Sequence, residues 1–251
     1  MLSSGKWRFI QGKECEVRIN RTELSKRLQC VADCVPEGAR LADIGTDHGY
    51  IPICLVAEGI CPRAVACDVN RGPLERAGSH VAEAGLEGKI SLRSGDGLRP
   101  LSVDEVDCIV IAGMGGSLIC QILQDSPEFM EAGKTLVLQP QSEVFKVRRL
   151  LHEKGYRIEG EWNLSEDGKY YVILRALPGR ETYRYAGEYE YGQVLIREKN
   201  PLLQEHLKRQ LQKKTDIVRR LSEENHKDRI RKLQEEIREI SRILKEMECQ
   251  T

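Results

Sequence analysis

Residues 41–50, which read LADIGTDHGY, decide the fold of this 251-residue chain. The apolar start of the stretch is typical of a buried strand, and its two glycines allow a sharp turn into a helix. From residue 40 onward, short runs rich in Val, Ile and Ala alternate with helical patterns. Because right-handed crossovers connect such strands, the alternation predicts a parallel sheet with helices on both faces. We therefore expect an α/β fold.

Seven apolar runs predict seven strands. The last two are joined only by the turn-like sequence SEDGK, so they predict an antiparallel hairpin at the edge of the sheet. A first helix is expected from near Thr22 until Pro36 ends it. The runs are 40–46, 64–69, 89–94, 106–112, 135–139, 156–162 and 170–176, with further helices near 50–58, 72–85, 116–125 and 142–154.

The chain beyond residue 197 has only helical signals. Its apolar residues recur at spacings of three and four, no proline follows Pro201, and the apolar seam lapses around 222–227. This pattern predicts two helices folded into an antiparallel coiled-coil hairpin. We expect four parts in all: a flexible extension (1–20), an α/β domain (21–180), a linker (181–197) and a helical domain (198–251).

Composition restricts the class of protein. The chain is 40% hydrophobic and 31% charged, which is typical of a globular protein. No apolar run reaches the roughly 20 residues that span a bilayer, and the first twenty residues lack the apolar core of a secretory signal. We therefore expect a cytoplasmic protein with no membrane partner. The nine cysteines are odd in number and form no CxxC pair, which predicts reduced thiols and no metal site.

The net charge is zero, but basic residues are concentrated in the helical tail. Residues 197–251 contain fifteen basic and eleven acidic side chains. Such an excess is typical either of a solvated helix face or of a surface that binds phosphates, and the sequence leaves both interpretations open. The candidates for phosphate contact are Lys208, Arg209, Lys213, Lys214, Arg219 and Arg220.

Loops after the first four predicted strands carry the candidate site. Ligands of open α/β sheets bind outside the carboxyl ends of the strands, so these loops are expected to converge on one site. The candidate ligand-binding residues are Asp43, Gly45, His48 and Gly49, then Asp68 and Val69, then Gly95, Asp96 and Gly97, and finally Ala112, Gly113 and Met114.

The first loop does not match the dinucleotide fingerprint GxGxxG. Asp47 stands where a pyrophosphate would approach, and its charge would repel that group. A cationic ligand fits better, and S-adenosyl-L-methionine carries both a sulfonium and an ammonium group. Asp43 and Asp47 can bind those charges, Asp68 can accept hydrogen bonds from ribose hydroxyls, and Asp96 can accept one from an adenine amino group.

Five motifs and the charged helical tail resemble the bacterial TrmK family over about residues 22–250. The motifs are SKRLQ (25–29), DIGTDHGY (43–50), GDGL (95–98), IAGMGG (111–116) and LQPQ (138–141). The resemblance implies a Rossmann-like class I methyltransferase with a seven-stranded sheet, S-adenosyl-L-methionine as cofactor and tRNA as partner, methylated on N1 of adenine 22. The chain departs from the family at Gln141, where Asn is expected, and has Asp68 where the family can use Glu. The oligomeric state is left open.

Asp47 is the candidate catalytic residue. Adenine N1 is itself a nucleophile, so the enzyme must mainly align it and exclude water. N1 lies on the Watson–Crick edge, so the base must be unpaired first. A carboxylate at Asp47 would stabilise the cationic product and accept a hydrogen bond from the N6 amino group. The alternative is that Asp47 binds the methionine ammonium or caps the helix. AGMGG after the fourth strand replaces the Asp/Asn-Pro-Pro-Tyr/Phe motif of N6 methyltransferases, which disfavours N6 chemistry.

The remaining candidates for substrate contact are Arg27, Tyr50, Gln139 and Pro140. Arg27 reaches the site or a phosphate, or is an ordinary exposed helical residue; Tyr50 stacks on a base or packs beneath its helix. His48 orients the substrate, helps a proton leave, or is hydrogen-bonded within its turn. Two other functional classes also remain: a methyltransferase of small molecules, and a non-enzymatic RNA-binding protein.

Overall fold

A seven-stranded sheet forms the centre of the computed structural model, which describes residues 24–221 and 223–249. The strand order is β3-β2-β1-β4-β5-β7-β6. β1 to β5 are parallel, whereas β7 runs antiparallel to both β5 and β6. The strands are β1 (Leu41–Ile44), β2 (Ala64–Asp68), β3 (Ile90–Ser94), β4 (Cys108–Met114), β5 (Thr135–Pro140), β6 (Tyr156–Glu166) and β7 (Lys169–Pro178). The predicted α/β fold and the antiparallel edge hairpin are confirmed.

Helices cover both faces of the sheet. They are α1 (Lys26–Asp33), α2 (Tyr50–Ala57), α3 (Arg71–Glu83), α4 (Gly116–Asp125), α5 (Pro127–Glu131) and α6 (Val144–Glu153). Neighbouring strand residues point to opposite faces, so Val110 packs in the core beneath α1 and α2, while Ile111 packs beneath α4 and α6. Each face therefore has its own apolar core.

The first helix begins later than its apolar spacing predicts. Ser25 caps it by accepting a hydrogen bond from the Leu28 backbone at 3.3 Å, so α1 starts at Lys26. It ends at Asp33, before Pro36. Thr22 and the predicted extension 1–20 lie outside the described residues.

The β6–β7 hairpin is longer than the sequence predicts. A two-residue turn closes it, with φ of 51° at Asp167 and 74° at Gly168, and turns of this kind match the twist of paired strands. Near this turn, Glu166 Oε1 accepts a hydrogen bond from the Lys26 backbone at 2.7 Å. The hairpin tip is thereby attached to the start of α1.

Two short helices occupy the segment expected to be an irregular linker: α7 (Ala186–Tyr191) and α8 (Gln193–Arg197). Tyr183 and Val194 are buried in the core beneath α4 and α6. Leu195 and Ile196 instead belong to the apolar cluster of the C-terminal helices. Helices this short show no readable periodicity, which is why the sequence did not reveal them.

The chain ends in two long helices, α9 (Pro201–Arg220) and α10 (Glu223–Cys249). Asn200 caps α9 by accepting from the Leu203 backbone at 3.0 Å. Leu207 and Ile240 are fully buried in one apolar cluster that both helices share. The two helices predicted for this region are present; their coiled-coil character stays a prediction.

None of the helices within 24–221 and 223–249 is both long and apolar enough to cross a membrane. Within the same ranges, no group of three or more His, Cys, Asp or Glu side chains is arranged to hold a metal ion.

Candidate active site

A cavity of about 330 Å³ opens at the carboxyl ends of β1 and β4, beside α1. This is the edge of the sheet at which the sequence places the site. The cavity is lined by Arg27, Leu28, Asp43, Gly45, Thr46, Asp47, His48, Tyr50, Ile51, Ala112, Gly113 and Gln141. Leu28, Thr46, Ile51 and Gln141 were not among the candidates. Gln141 could have been identified from the sequence, because it completes the LQPQ motif.

Asp43 is the buried acid of the cavity, with 4% of its surface exposed. Its Oδ2 accepts a hydrogen bond from Thr46 Oγ1 at 2.6 Å. Burial raises the pKa of Asp43 to about 6, the hydroxyl of Thr46 opposes this shift, and the nearby charge of Asp68 adds to it. A cation that binds beside this buried carboxylate would stabilise its charged form.

The backbone turn after β1 depends on glycine. Gly45 and Gly49 have φ of 74° and 72°, in the left-handed region. The Met114 side chain packs against Gly45 so closely that a Cβ there would collide with its methyl group. The Gly45 backbone N–H donates to the Cys67 carbonyl at 2.8 Å. The turn therefore presents bare backbone to the cavity.

Asp47 also adopts a left-handed conformation, with φ of 46°. Its side chain is 59% exposed, and its Oδ1 lies 2.6 Å from an Arg76 guanidinium nitrogen. Its Oδ2 lies 3.5 Å from His48 Nε2. Asp47 is thus at the solvent side of the cavity and already has a cationic partner, in contrast to the buried Asp43.

Three aromatic rings group at the mouth of the cavity. The rings of His48 and Tyr50 are nearly parallel, with centroids 5.1 Å apart, and both pack against His80 at 5.6 and 5.3 Å. His80 Nδ1 lies 2.9 Å from the His48 carbonyl oxygen. His48 Nδ1 is buried and has no hydrogen-bond partner among the described residues. Tyr50 is 39% exposed and offers apolar ring surface at the opening.

The loops after β2 and β3 lie at the same edge of the sheet as the cavity. Asp68 Oδ1 accepts from the Asn70 backbone at 2.8 Å, and the Asp68 carbonyl accepts from the Gly95 backbone at 3.1 Å. Val69 is 63% exposed, unusual for an apolar residue. Asp96 and Gly97 line a small separate recess of about 20 Å³. Asp68, Val69, Gly95, Asp96 and Gly97 are not among the residues that line the main cavity, so their part in ligand binding stays a prediction.

Gln139 lies behind the cavity wall and is fully buried. Its Oε1 accepts hydrogen bonds from the Arg27 guanidinium at 2.8 Å and from the Gly113 backbone at 3.1 Å. Its Nε2 donates to the Pro140 carbonyl at 3.1 Å. Gln139 and the buried Pro140 are therefore not exposed to a substrate in this structure, contrary to the sequence-based expectation. Gln139 instead supports two residues that do line the cavity.

The six basic candidates of the tail are not equivalent. Lys214 is half-buried and pairs with Glu236 of α10 at 2.5 Å, whereas Lys208, Arg209, Lys213, Arg219 and Arg220 are exposed. Two of the exposed residues pair within α9, Arg209 with Glu205 and Arg219 with Asp216. Arg209 and Lys213 line a groove of about 190 Å³ between the β6–β7 turn and α9. Within this groove the rings of Tyr170 and His206 stack with centroids 3.9 Å apart.

Comparison with known proteins is consistent with this geometry. The family model for TrmK, tRNA (adenine(22)-N(1))-methyltransferase, matches residues 41–242. A Bacillus subtilis protein of that name is 35% identical over 234 residues, which cover 91% of this chain and 98% of the relative.

Solved structures with bound cofactor are also similar. A Streptococcus pneumoniae protein, described as a candidate tRNA (m1A22) methyltransferase in complex with S-adenosyl-L-methionine, has a TM-score of 0.81 at 33% identity, covering 88% of this chain and 99% of that one. Mycoplasma capricolum TrmK in complex with S-adenosyl-homocysteine has a TM-score of 0.79 at 27% identity, covering 89% and 99%. With its fold, its acidic cavity and these matches, the chain belongs to the TrmK family of tRNA (adenine(22)-N(1))-methyltransferases.

Proposed function

We propose that this chain transfers a methyl group from S-adenosyl-L-methionine to N1 of adenine 22 in tRNA, in the cavity at the carboxyl ends of β1 and β4. The observation that carries the proposal is the buried Asp43, which has no cationic partner among the described residues, beside the bare backbone of Gly45 and Gly113 in a fold that belongs to the TrmK family.

The residues at this edge fit S-adenosyl-L-methionine. Asp43 is suited to its ammonium group, because a cation would relieve the unfavourable burial of the carboxylate. Asp68, at the end of β2, can accept hydrogen bonds from ribose hydroxyls. Val69 offers an exposed apolar surface for the adenine ring, and Asp96 an acceptor for its amino group. The bound cofactor supplies an electrophilic methyl group.

The chain's part in the reaction is to orient the target base and exclude water. Adenine N1 has its own lone pair, so no protein group needs to remove a proton from it before attack. Tyr50 and His48, at the mouth of the cavity, are suited to stack against a base that has left its helix. Stacking there would keep N1 turned toward the interior of the cavity.

Asp47 is the proposed catalytic carboxylate. Methylation at N1 makes the base cationic, and a carboxylate at the cavity mouth stabilises that charge as it develops. Arg76 holds the side chain of Asp47 at 2.6 Å and so fixes its position. Asp43 is the better candidate for the methionine ammonium, because its carboxylate is buried inside the cavity, whereas Asp47 lies at the mouth, where the base arrives.

The tail is proposed to hold the body of the tRNA. Exposed Lys208, Arg209, Lys213, Arg219 and Arg220 can contact phosphates, and such contacts carry affinity rather than sequence specificity. Lys214 contributes less, because it is half-buried and Glu236 of the other long helix pairs with it.

The β6–β7 hairpin connects this surface to the cavity. Consecutive side chains of a strand point to opposite faces. Tyr171 faces Arg27, whose guanidinium carbon is 5.7 Å from the ring centroid, while Tyr170 faces His206 of α9. The hairpin thus has the cavity on one side and the groove with Arg209 and Lys213 on the other, which suits an RNA that reaches both.

Methylation of unmodified tRNA tests the proposal. Purified protein, tRNA transcript and labelled S-adenosyl-L-methionine should give 1-methyladenosine at position 22, identified by nucleoside mass spectrometry and mapped in the RNA. A transcript with G22 is the matched control and should accept no label. Methylation of a small molecule but not of tRNA would favour the alternative that the chain is a methyltransferase of small molecules. Failure to bind S-adenosyl-L-methionine in calorimetry would favour a non-enzymatic RNA-binding protein.

A further inference from the structure

Two free thiols lie close together at the end of α1. Cys30 is half-buried within the helix, and the buried Cys34 follows its last residue. We infer that Cys30 and Cys34 are a redox-active pair, which a low-molecular-weight disulfide such as glutathione disulfide converts into an intramolecular disulfide. The inference goes beyond the proposed methyl transfer and does not depend on it, because neither thiol lines the cavity.

The two cysteines are neighbours on one side of the helix. Residues four apart have Cα atoms about 6 Å apart, and disulfides span Cα distances of about 4.4–6.8 Å. Cys34 Sγ lies 3.1 Å from the Cys30 carbonyl oxygen, so this side chain already points back toward Cys30. Cys34 is the C-cap residue of α1, where the backbone is held by fewer hydrogen bonds than in the middle of a helix. The approach that a disulfide needs is therefore least costly at this end.

Cys30 is the nucleophile of the pair. A hydrogen bond from the Cys34 thiol favours the Cys30 thiolate and lowers the pKa of Cys30, although burial and the charge of Asp33 oppose this shift. The thiolate is the form that attacks a disulfide, and Cys30 is partly exposed to solvent. A thiol with these properties beside a second cysteine is typical of redox-sensitive sites.

Four other cysteines have the opposite pKa shift. Burial raises the pKa of Cys61 and Cys120 to about 11 and that of Cys67 to about 12, and it also raises the pKa of Cys108. Cys120, on α4, is half-buried like Cys30, so partial exposure does not distinguish the two. The hydrogen bond from a neighbouring thiol does. Cys120 is therefore the matched control.

The reaction is an exchange of one disulfide for another. The Cys30 thiolate attacks one sulfur of glutathione disulfide, the S–S bond breaks, and one glutathione leaves as a thiolate that takes up a proton. The hydrogen bond to the Cys30 thiolate and burial both raise the pKa of Cys34, and the first of these effects ends once Cys30 is in the mixed disulfide. Cys34 then loses its proton to water, and its thiolate attacks the Cys30 sulfur and displaces the second glutathione. Two protein thiols are oxidised, and one glutathione disulfide is reduced to two thiols.

Peptide mapping of the full chain tests the inference. The reduced, folded protein is incubated with glutathione disulfide, and the remaining thiols are alkylated in denaturant. Trypsin then releases residues 28–40, LQCVADCVPEGAR, which contain both cysteines and no other. This peptide should escape alkylation and be lighter by two hydrogen atoms than its reduced form, and dithiothreitol should reverse the change. Its oxidation should be about tenfold faster than addition of glutathione to Cys120, because a thiolate made scarce by a raised pKa is only partly compensated by greater nucleophilicity.

Three variants separate the roles of the thiols. Cys34→Ser should stop at the mixed disulfide and carry one glutathione on Cys30, whereas Cys30→Ser should leave the buried Cys34 unmodified. Cys120→Ser should form the disulfide at the normal rate. Thermal melting checks that each protein is folded.

Three results would overturn the inference. The first is alkylation of both cysteines of peptide 28–40 after treatment of the folded protein. The second is linkage of this peptide to another peptide of the chain. The third is formation of the disulfide only after the protein has been unfolded in urea.

Discussion

Arg148 Nε and Glu161 Oε1 lie 2.7 Å apart, and neither side chain has any exposure to solvent. The NH1 group of Arg148 also donates to the carbonyl oxygens of Tyr189 and Glu190, at 2.7 and 3.0 Å. One guanidinium therefore connects α6, β6 and the end of α7. This buried pair attaches the segment that leads to the tail to the sheet that carries the cavity.

Loss of Arg148 should strongly destabilise the protein. Arg148→Met leaves the Glu161 carboxylate buried without its partner and the end of α7 without a donor, so the free energy of unfolding should fall by about 3–5 kcal/mol. Urea unfolding measures the change. Arg71→Met breaks the exposed ion pair with Glu75 and should cost less than about 1 kcal/mol. If Arg148→Met and Arg71→Met lowered the free energy of unfolding by similar amounts, burial would not explain the importance of the Arg148–Glu161 pair.

Cofactor affinity should depend on pH through Asp43. The pKa of this carboxyl is raised by burial from 3.8 to about 6, and a cationic ligand favours its ionised form. Affinity for S-adenosyl-L-methionine should therefore increase as the pH rises through about 6 and level off above it. The ligand-free protein should show the opposite trend, because the native state holds this proton more tightly than the unfolded state, so this group's contribution to stability declines between about pH 4 and 6.

Asp43→Asn is the matched variant for this pH dependence. The amide retains an oxygen for Thr46 but has no charge to ionise, so the step in affinity near pH 6 should disappear and cofactor binding should be weak at every pH. Calorimetry from pH 5 to pH 8 measures both proteins. A step of equal size in the variant would assign the titration to another group of the cavity.

Asp68→Ala should weaken S-adenosyl-L-methionine binding by about 1–3 kcal/mol, because two ribose hydroxyls lose a charged acceptor. The fold should survive. Asp68→Asn keeps an oxygen that can accept the hydrogen bond from the Asn70 backbone, but it has no charge. This variant therefore distinguishes the effect of losing the charged ligand contact from the effect of disturbing the turn. Thermal melting checks folding and calorimetry measures affinity. Unchanged affinity in a folded Asp68→Ala protein would remove this residue from the site.

Asp47→Asn should lower the rate of methyl transfer more than it lowers tRNA affinity, because the proposed contact strengthens as positive charge develops on the base. Asparagine tolerates the left-handed backbone at this position, so the turn should persist. Single-turnover kinetics at saturating tRNA measures the rate. Normal turnover with weaker cofactor binding would place Asp47 at the methionine end.

The end point of the α/β domain can be tested by shortening the chain. A protein that stops at Arg180 loses Tyr183 and Val194 from the core beneath α4 and α6, so it should lose cooperative thermal melting. A protein that stops at Lys199 keeps both residues and should retain measurable binding of S-adenosyl-L-methionine. Equal stability of the two proteins would support the boundary near residue 180 that the sequence suggests.

Local patterns were sufficient for the seven strands, the longer helices and the turn after β1. Gly45 and Gly49 have the positive φ that their spacing suggested, because the need for glycine is a property of the backbone at that position. The short helices α7 and α8 were not predicted from the sequence. They are stabilised by contacts with Arg148 and with the two apolar clusters, and their own sequence has no helical periodicity. The acids of the first loop favoured S-adenosyl-L-methionine, and the family resemblance supplied the class of substrate, which no spacing alone could specify.

The amino-acid sequence by itself determined the alternation of strands and helices, the edge of the sheet at which the acids gather, and the two long helices at the end of the chain. Each of these follows from local propensity and from the direction of parallel strands. Only the tertiary structure decided which polar groups meet. Arg27 and Gln139 are 112 residues apart in the chain, and Lys214 and Glu236 lie on different helices. A polar side chain can face a ligand, support another residue or be neutralised by a neighbour. Which of these it does depends on partners that are distant in the chain and on burial. Neither the partners nor the burial produces a periodic pattern in the sequence.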